Sequence, residues 1–168
     1  IHMLMALFIV CLLIYLVYSG IEKSKIVKNN QFKFLLLTAI ALSLVQIILG
    51  TQVRQFVDEQ AQVFLYDKSK WFSEIPSVYK YHRTFSIAVV LINFSLFYLN
   101  LKLSLGNKYL NYLIILLAVE VFSGVLMFYF DFPFGTQTIH LVFASLIFGL
   151  QFYILLNNFL TKKLPNDI

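Results

Sequence analysis

The sequence predicts an all-α integral membrane protein of five transmembrane helices. Three observations predict it. Apolar residues make up 60% of the 168 residues and charged residues only 12%, against about 45–50% and about 25% in soluble domains. Five apolar runs approach the length of about 20 helical residues that crosses a hydrocarbon core. None of these runs alternates apolar with polar residues, as a membrane β-strand would.

The runs are 2–18, 33–50, 82–101, 110–130 and 138–159. The first opens at Ile1-His2 with no charged segment or cleavage site before it, so a span is expected rather than a signal peptide. It is slightly short, and an upstream part of the protein is expected. Between the first two runs lie Lys23, Lys25, Lys28 and Lys33 against Glu22. Lys102 and Lys108 follow the third run, and Lys162 and Lys163 follow the fifth. Together these places hold 8 of the 13 basic residues. The positive-inside rule therefore puts 19–32, 102–109 and the C-terminus in the cytoplasm. Loops 51–81 and 131–137 then face the other side, the second tightened by Pro133 and Gly135. The net charge of +5 fits loop lysines facing anionic lipid. No basic stripe with interleaved aromatics points to nucleic acid. Cys11 is the single cysteine, which excludes an intrachain disulfide.

Within the long loop, Val53, Phe56, Val57, Ala61, Phe64 and Leu65 recur at helical spacing. They predict either an amphipathic helix lying on the membrane surface, anchored by Trp71 and Phe72, or an ordinary connecting helix.

The three histidines are His2, His82 and His140. Each falls at the start of a run that begins on the outer side, so all three are expected at one depth. Each has a small residue four positions on, Ala6, Ser86 and Ala144, which shares its helix face and leaves room for a flat macrocycle. Two imidazoles from facing helices make a six-coordinate haem centre, so the last four spans are expected to form a four-helix haem-binding bundle. The plain alternative is three polar anchors at the membrane interface. Zinc fits less well, because no cysteine or carboxylate is expected beside the histidines.

The chain also repeats itself. Ile1-His2 to Ala6 resembles Ile139-His140 to Ala144, and Gln46 to Gly50 resembles Glu120 to Gly124. Helices of a "Gln/Glu-x-x-x-Gly" type thus alternate with helices of a "His" type over 33–159. Glu120 inside a span needs a partner or a function. It is expected to be protonated, hydrogen-bonded to Gln46 or Gln151, or placed near the cofactor, with a structural hydrogen bond favoured over a proton-transfer role.

These residues carry a family resemblance. Gln46 to Gly50 followed by Thr51-Gln52-Val53-Arg54, then His82-Arg83, then Gly135-Thr136-Gln137 and His140-Leu141, resembles the C-terminal half of haem A synthase over essentially the whole chain. The resemblance implies eight transmembrane helices in two pseudo-symmetric halves. It implies that residues 1–18 are the last helix of a substrate half, that 19–32 link the halves, and that 33–168 form a haem b domain. It implies His82 and His140 as the haem b ligands and His2 as a ligand of the substrate, haem O. The implied reaction oxidises a methyl group of haem O to the formyl of haem A in an inner membrane. The catalytic acid would lie in the absent half, so this chain alone is expected to be inactive. Arg54 and Arg83 are candidate partners of haem propionates; snorkelling or a loop ion pair such as Arg54 with Asp58 is the alternative. Partners implied are haem O, lipid, the upstream half, haem O synthase and a second copy of the chain. Relatives often carry a cysteine pair in the outer loops, which this chain lacks there. The other functional reading is a membrane cytochrome b module that only relays electrons.

Overall fold

The structure is a computed structural model that describes residues 2–20, 29–64, 67, 70–71, 75–130 and 132–159. It contains five helices: α1 His2–Ser19, α2 Asn30–Phe64, α3 Ser77–Lys102, α4 Tyr109–Tyr129 and α5 Thr136–Phe159. Each is long and apolar enough to cross a membrane, and no strand occurs among the described residues. Their outward faces are apolar as well: Leu91 and Ile115 are 62% and 60% exposed. An apolar outside is what lipid, rather than water, selects.

Helix starts follow local chemistry. Asn29 accepts a hydrogen bond from the Phe32 amide through Oδ1 at 2.9 Å, a side-chain N-cap that starts α2 ahead of the expected position. Pro76 precedes α3, so this helix opens five residues before His82. Gly135, at φ +82°, turns the chain into α5 in a conformation that side chains disfavour.

α2 departs most from the expected element. The apolar pattern ends near Gly50, yet the helix runs unbroken for 35 residues to Phe64. At about 1.5 Å per residue that is about 52 Å, well beyond a core about 30 Å thick. The loop expected at 51–81 is therefore helical over its first 14 positions, as a continuation of the span and not as a separate helix. Pairs at i,i+4 support this extension: Gln55 donates to Glu59 at 2.9 Å, and Arg54 lies 3.6 Å from Asp58. Trp71 packs against the Phe132 ring, centroids 5.8 Å apart. Leu65, Phe72, Lys23, Lys25, Lys28, Lys162 and Lys163 lie outside the described residues.

The last four helices close a bundle. α2 packs on α3 and α5, and α4 packs on the same two helices. α3 and α5 therefore face each other along the bundle's diagonal. Leu36, Leu96, Leu110, Leu113 and Ile154 fill the core with no exposed surface. α1 packs outside this bundle on α5. It comes close at Gly149, where a Cβ would stand 3.1 Å from Ile14 Cδ1.

Candidate functional site

The diagonal brings two of the three histidines together. His82 on α3 and His140 on α5 have ring centroids 6.4 Å apart, with planes inclined at 72°. Both rings are largely buried. They meet because each stands in the early turns of a helix that enters from the same end, and because those helices oppose each other across the bundle.

Each ring is received by the other helix of its own hairpin. Gly50 of α2 lies against His82: a Cβ there would be 3.1 Å from Cε1. Gly124 of α4 lies against His140, where a Cβ would be 3.4 Å from Cε1. One turn deeper, Gln46 donates through Nε2 to the His82 carbonyl at 3.1 Å and stands 3.5 Å from His82 Nε2. In the same place on α4, Glu120 Oε1 is 3.2 Å from His140 Nε2. The repeated Gln/Glu-x-x-x-Gly pattern is thus a receptor for an imidazole: the polar group meets a ring nitrogen and the glycine clears space for the ring edge.

Two expectations about Glu120 need correction. Its partner is His140, not Gln46 or Gln151; α4 and α5 are neighbours, and residues 120 and 140 share a level in that pair. A carboxylate does therefore stand beside a histidine, contrary to the reason given against zinc. Even so, no three of His, Cys, Asp and Glu converge among the described residues.

The pattern of satisfied atoms is uneven. Ser123, which the sequence did not single out, places Oγ 2.9 Å from His140 Nδ1, so both nitrogens of that ring have partners. His82 Nδ1, Gln46 Oε1 and Glu120 Oε2 are buried without a hydrogen-bond partner. Orphaned buried polar atoms are uncommon in folded proteins and call for an explanation. Here they gather around two facing imidazoles, an arrangement able to address a single metal centre.

The other singled-out residues lie apart from this pair. His2 is exposed. Its neighbour Met3 packs in one cluster with Ala144, which puts His2 at the same end of the molecule as His140. Arg54 stands one turn beyond Gly50, exposed and paired with Asp58. Arg83 is exposed, its guanidinium 5.7 Å from the Phe128 ring centroid.

Residues 1–152 match the family model described as COX15-CtaA, cytochrome oxidase assembly protein. The chain belongs to this family. No curated protein and no solved structure matches it. Membership in COX15-CtaA places the chain in cytochrome oxidase assembly, and the matched segment contains all three histidines and both glycine receptors.

Proposed function

We propose that the chain holds a b-type haem between His82 and His140 and serves the oxidation of the haem O methyl group to the formyl group of haem A. The observation that carries the reading is the meeting of two imidazoles from diagonal helices, 6.4 Å apart. The donor count supports haem over a bare ion. A macrocycle brings four nitrogens of its own, and two imidazoles complete the coordination. A zinc-type site takes three or four protein ligands, and the described residues offer no such group.

When bound, the haem would supply one-electron chemistry, with a potential set by its axial ligands and surroundings. The chain's residues supply the rest. α3 and α5 aim the two imidazoles. Gly50 and Gly124 keep the rings against their hairpins. Leu36, Leu96 and Leu113 close the bundle core beyond the site. Arg54 and Arg83 are the proposed propionate partners, because guanidinium pairs carboxylate in a fork; each would leave an exposed contact to do so. Haem O would bind mainly to an upstream half of like build, with His2 as its ligand and haem O synthase as its source. The proposed location is an inner membrane, with the histidine ends outside and the C-terminus in the cytoplasm.

The test is a reduced-minus-oxidised absorption spectrum of the detergent-purified chain beside His82→Ala and His140→Ala. A low-spin b-type spectrum lost in both variants is expected. A wild-type chain without haem, which also fails to take added haemin, would sink the reading. Haem A formation after an upstream half is supplied separates this reaction from plain electron relay.

A further inference from the structure

Deeper in the bundle, a side-chain hydrogen bond bridges the α3–α5 diagonal. Gln151 on α5 donates through Nε2 to Asn93 Oδ1 on α3 at 2.9 Å. Both side chains are completely buried. Asn93 in turn donates through Nδ2 to the Val89 carbonyl at 2.8 Å, which ties its amide to its own helix and aims the oxygen across the bundle.

The register of this pair matches that of the histidines. Asn93 follows His82 by 11 residues, and Gln151 follows His140 by 11 residues. Eleven residues are about three turns, or about 16 Å along the axis. Each amide therefore lies on the same helix face as its histidine. Between the two levels the core is hydrocarbon: Val89 and Ile147 are buried. Apolar packing resists separation of helices but tolerates sliding and rotation, because dispersion is not directional. A hydrogen bond of fixed length between two buried amides resists both, since in hydrocarbon neither group has water as an alternative partner.

We propose that Asn93 and Gln151 are positioning residues, and that their hydrogen bond sets the distance and relative rotation of α3 and α5 and so the gap between His82 and His140. The inference rests on the reading of these histidines as a ligand pair. Two opposed helices held by apolar contacts alone would slide and turn against each other. Tied by a directional bond on the faces that carry the histidines, they present the imidazoles in one arrangement.

The test uses the full chain in detergent on a Cys11→Ala background, with spin labels at Tyr81→Cys and Ile139→Cys. These exposed positions adjoin the two histidines. Electron–electron dipolar spectroscopy reads their distance without haemin. A narrow distribution is expected for wild type and for the exchanged pair Asn93→Gln/Gln151→Asn, which keeps the bond and its overall length. A broadened or shifted distribution is expected for Asn93→Leu/Gln151→Leu, which removes both amides together and leaves neither orphaned. Haemin is then added. The exchanged pair should keep the wild-type low-spin spectrum and paramagnetic resonance signature, and the leucine pair should lose part of the low-spin fraction.

A narrow, unshifted distance in the leucine pair would overturn the proposal, as would a broadened one in the exchanged pair. If the leucine pair does not fold by circular dichroism, Gln151→Leu alone carries the same comparison against the exchanged pair. A wild-type chain that takes no haemin would sink the ligand reading, while the haemin-free distances still decide the brace.

Discussion

The hairpins α2–α3 and α4–α5 solve one problem in two ways. Both aim an imidazole inward from the second helix and receive it on the first with a polar side chain and a glycine one turn apart. The first hairpin uses Gln46, whose amide reaches chiefly the backbone of His82 and leaves Nδ1 without a partner. The second uses Glu120 and Ser123, which engage both nitrogens of His140. The backbone is repeated and the electrostatics are not. One ring is placed by shape and the other by hydrogen bonds, so the two histidines need not contribute equally even where the fold treats them alike.

The largest expected effect ignores this difference. His82→Ala and His140→Ala should each abolish the b-type absorption expected of the loaded chain. Residual low-spin haem in either variant would show that a single ring suffices and that the two hairpins are not equivalent partners.

The glycines sharpen the comparison next. Gly50→Ala puts a Cβ at 3.1 Å from a buried ring, while Gly124→Ala puts one at 3.4 Å, an ordinary contact. Replacing a helical glycine by alanine returns about 0.5–1 kcal/mol of backbone entropy, whereas overpacking costs about 1–3 kcal/mol. Gly50→Ala should therefore destabilise the haem-free chain and Gly124→Ala should be neutral or slightly stabilising, as read by denaturant titration in detergent. The opposite order would mean that His82 moves aside more easily than His140.

The polar receptors come third. Glu120→Leu strips a partner from a buried ring nitrogen, a loss of about 1–3 kcal/mol. Gln46→Leu should cost less, because its nearest contact is a carbonyl already within a helix. Glu120→Gln should fall near wild type, since an amide still meets Nε2. The same titration reads all three.

Arg54 should matter least to stability. It stands four residues beyond Gly50, where the other hairpin has Phe128 four beyond Gly124. Its pair with Asp58 is about half exposed on both sides, so Arg54→Ala should change stability by about 0.2–1 kcal/mol at most. A loss of haemin affinity in that variant without a loss of stability would support the propionate role. An unchanged affinity would leave Arg54 as a surface pair.

Several features of the site were legible in the residues alone. Apolar runs of membrane length, broken by basic loops, give five spans, because the bilayer demands continuous helices of set length. The Gln46/Gly50 and Glu120/Gly124 repeat is visible as spelling. So is the recurrence of histidines at the openings of alternate spans, although it marks all three alike and only the family resemblance implies His82 with His140 as the pair. Other parts were not legible. The end of α2 is hidden because hydropathy marks where lipid ends, and a helix held by i,i+4 pairs has no reason to stop there. Ser123 drew no notice because a serine in a span carries no signal until a ring stands opposite it. Asn93 and Gln151 share an 11-residue offset from their histidines, a signal that was present but has meaning only once α3 and α5 are known to be diagonal.

By itself, then, the sequence determined the number of spans, the membrane class, the family resemblance and the residues that a cofactor site would need. These follow from periodicity and composition, which act along the chain. Only the tertiary structure decided which histidines meet, that Glu120 serves His140 rather than Gln46, and that α1 with His2 stands outside the bundle. Those outcomes depend on which helices become neighbours and at what relative height. Packing of apolar faces leaves that choice open within the sequence, and small residues and buried hydrogen bonds settle it in space.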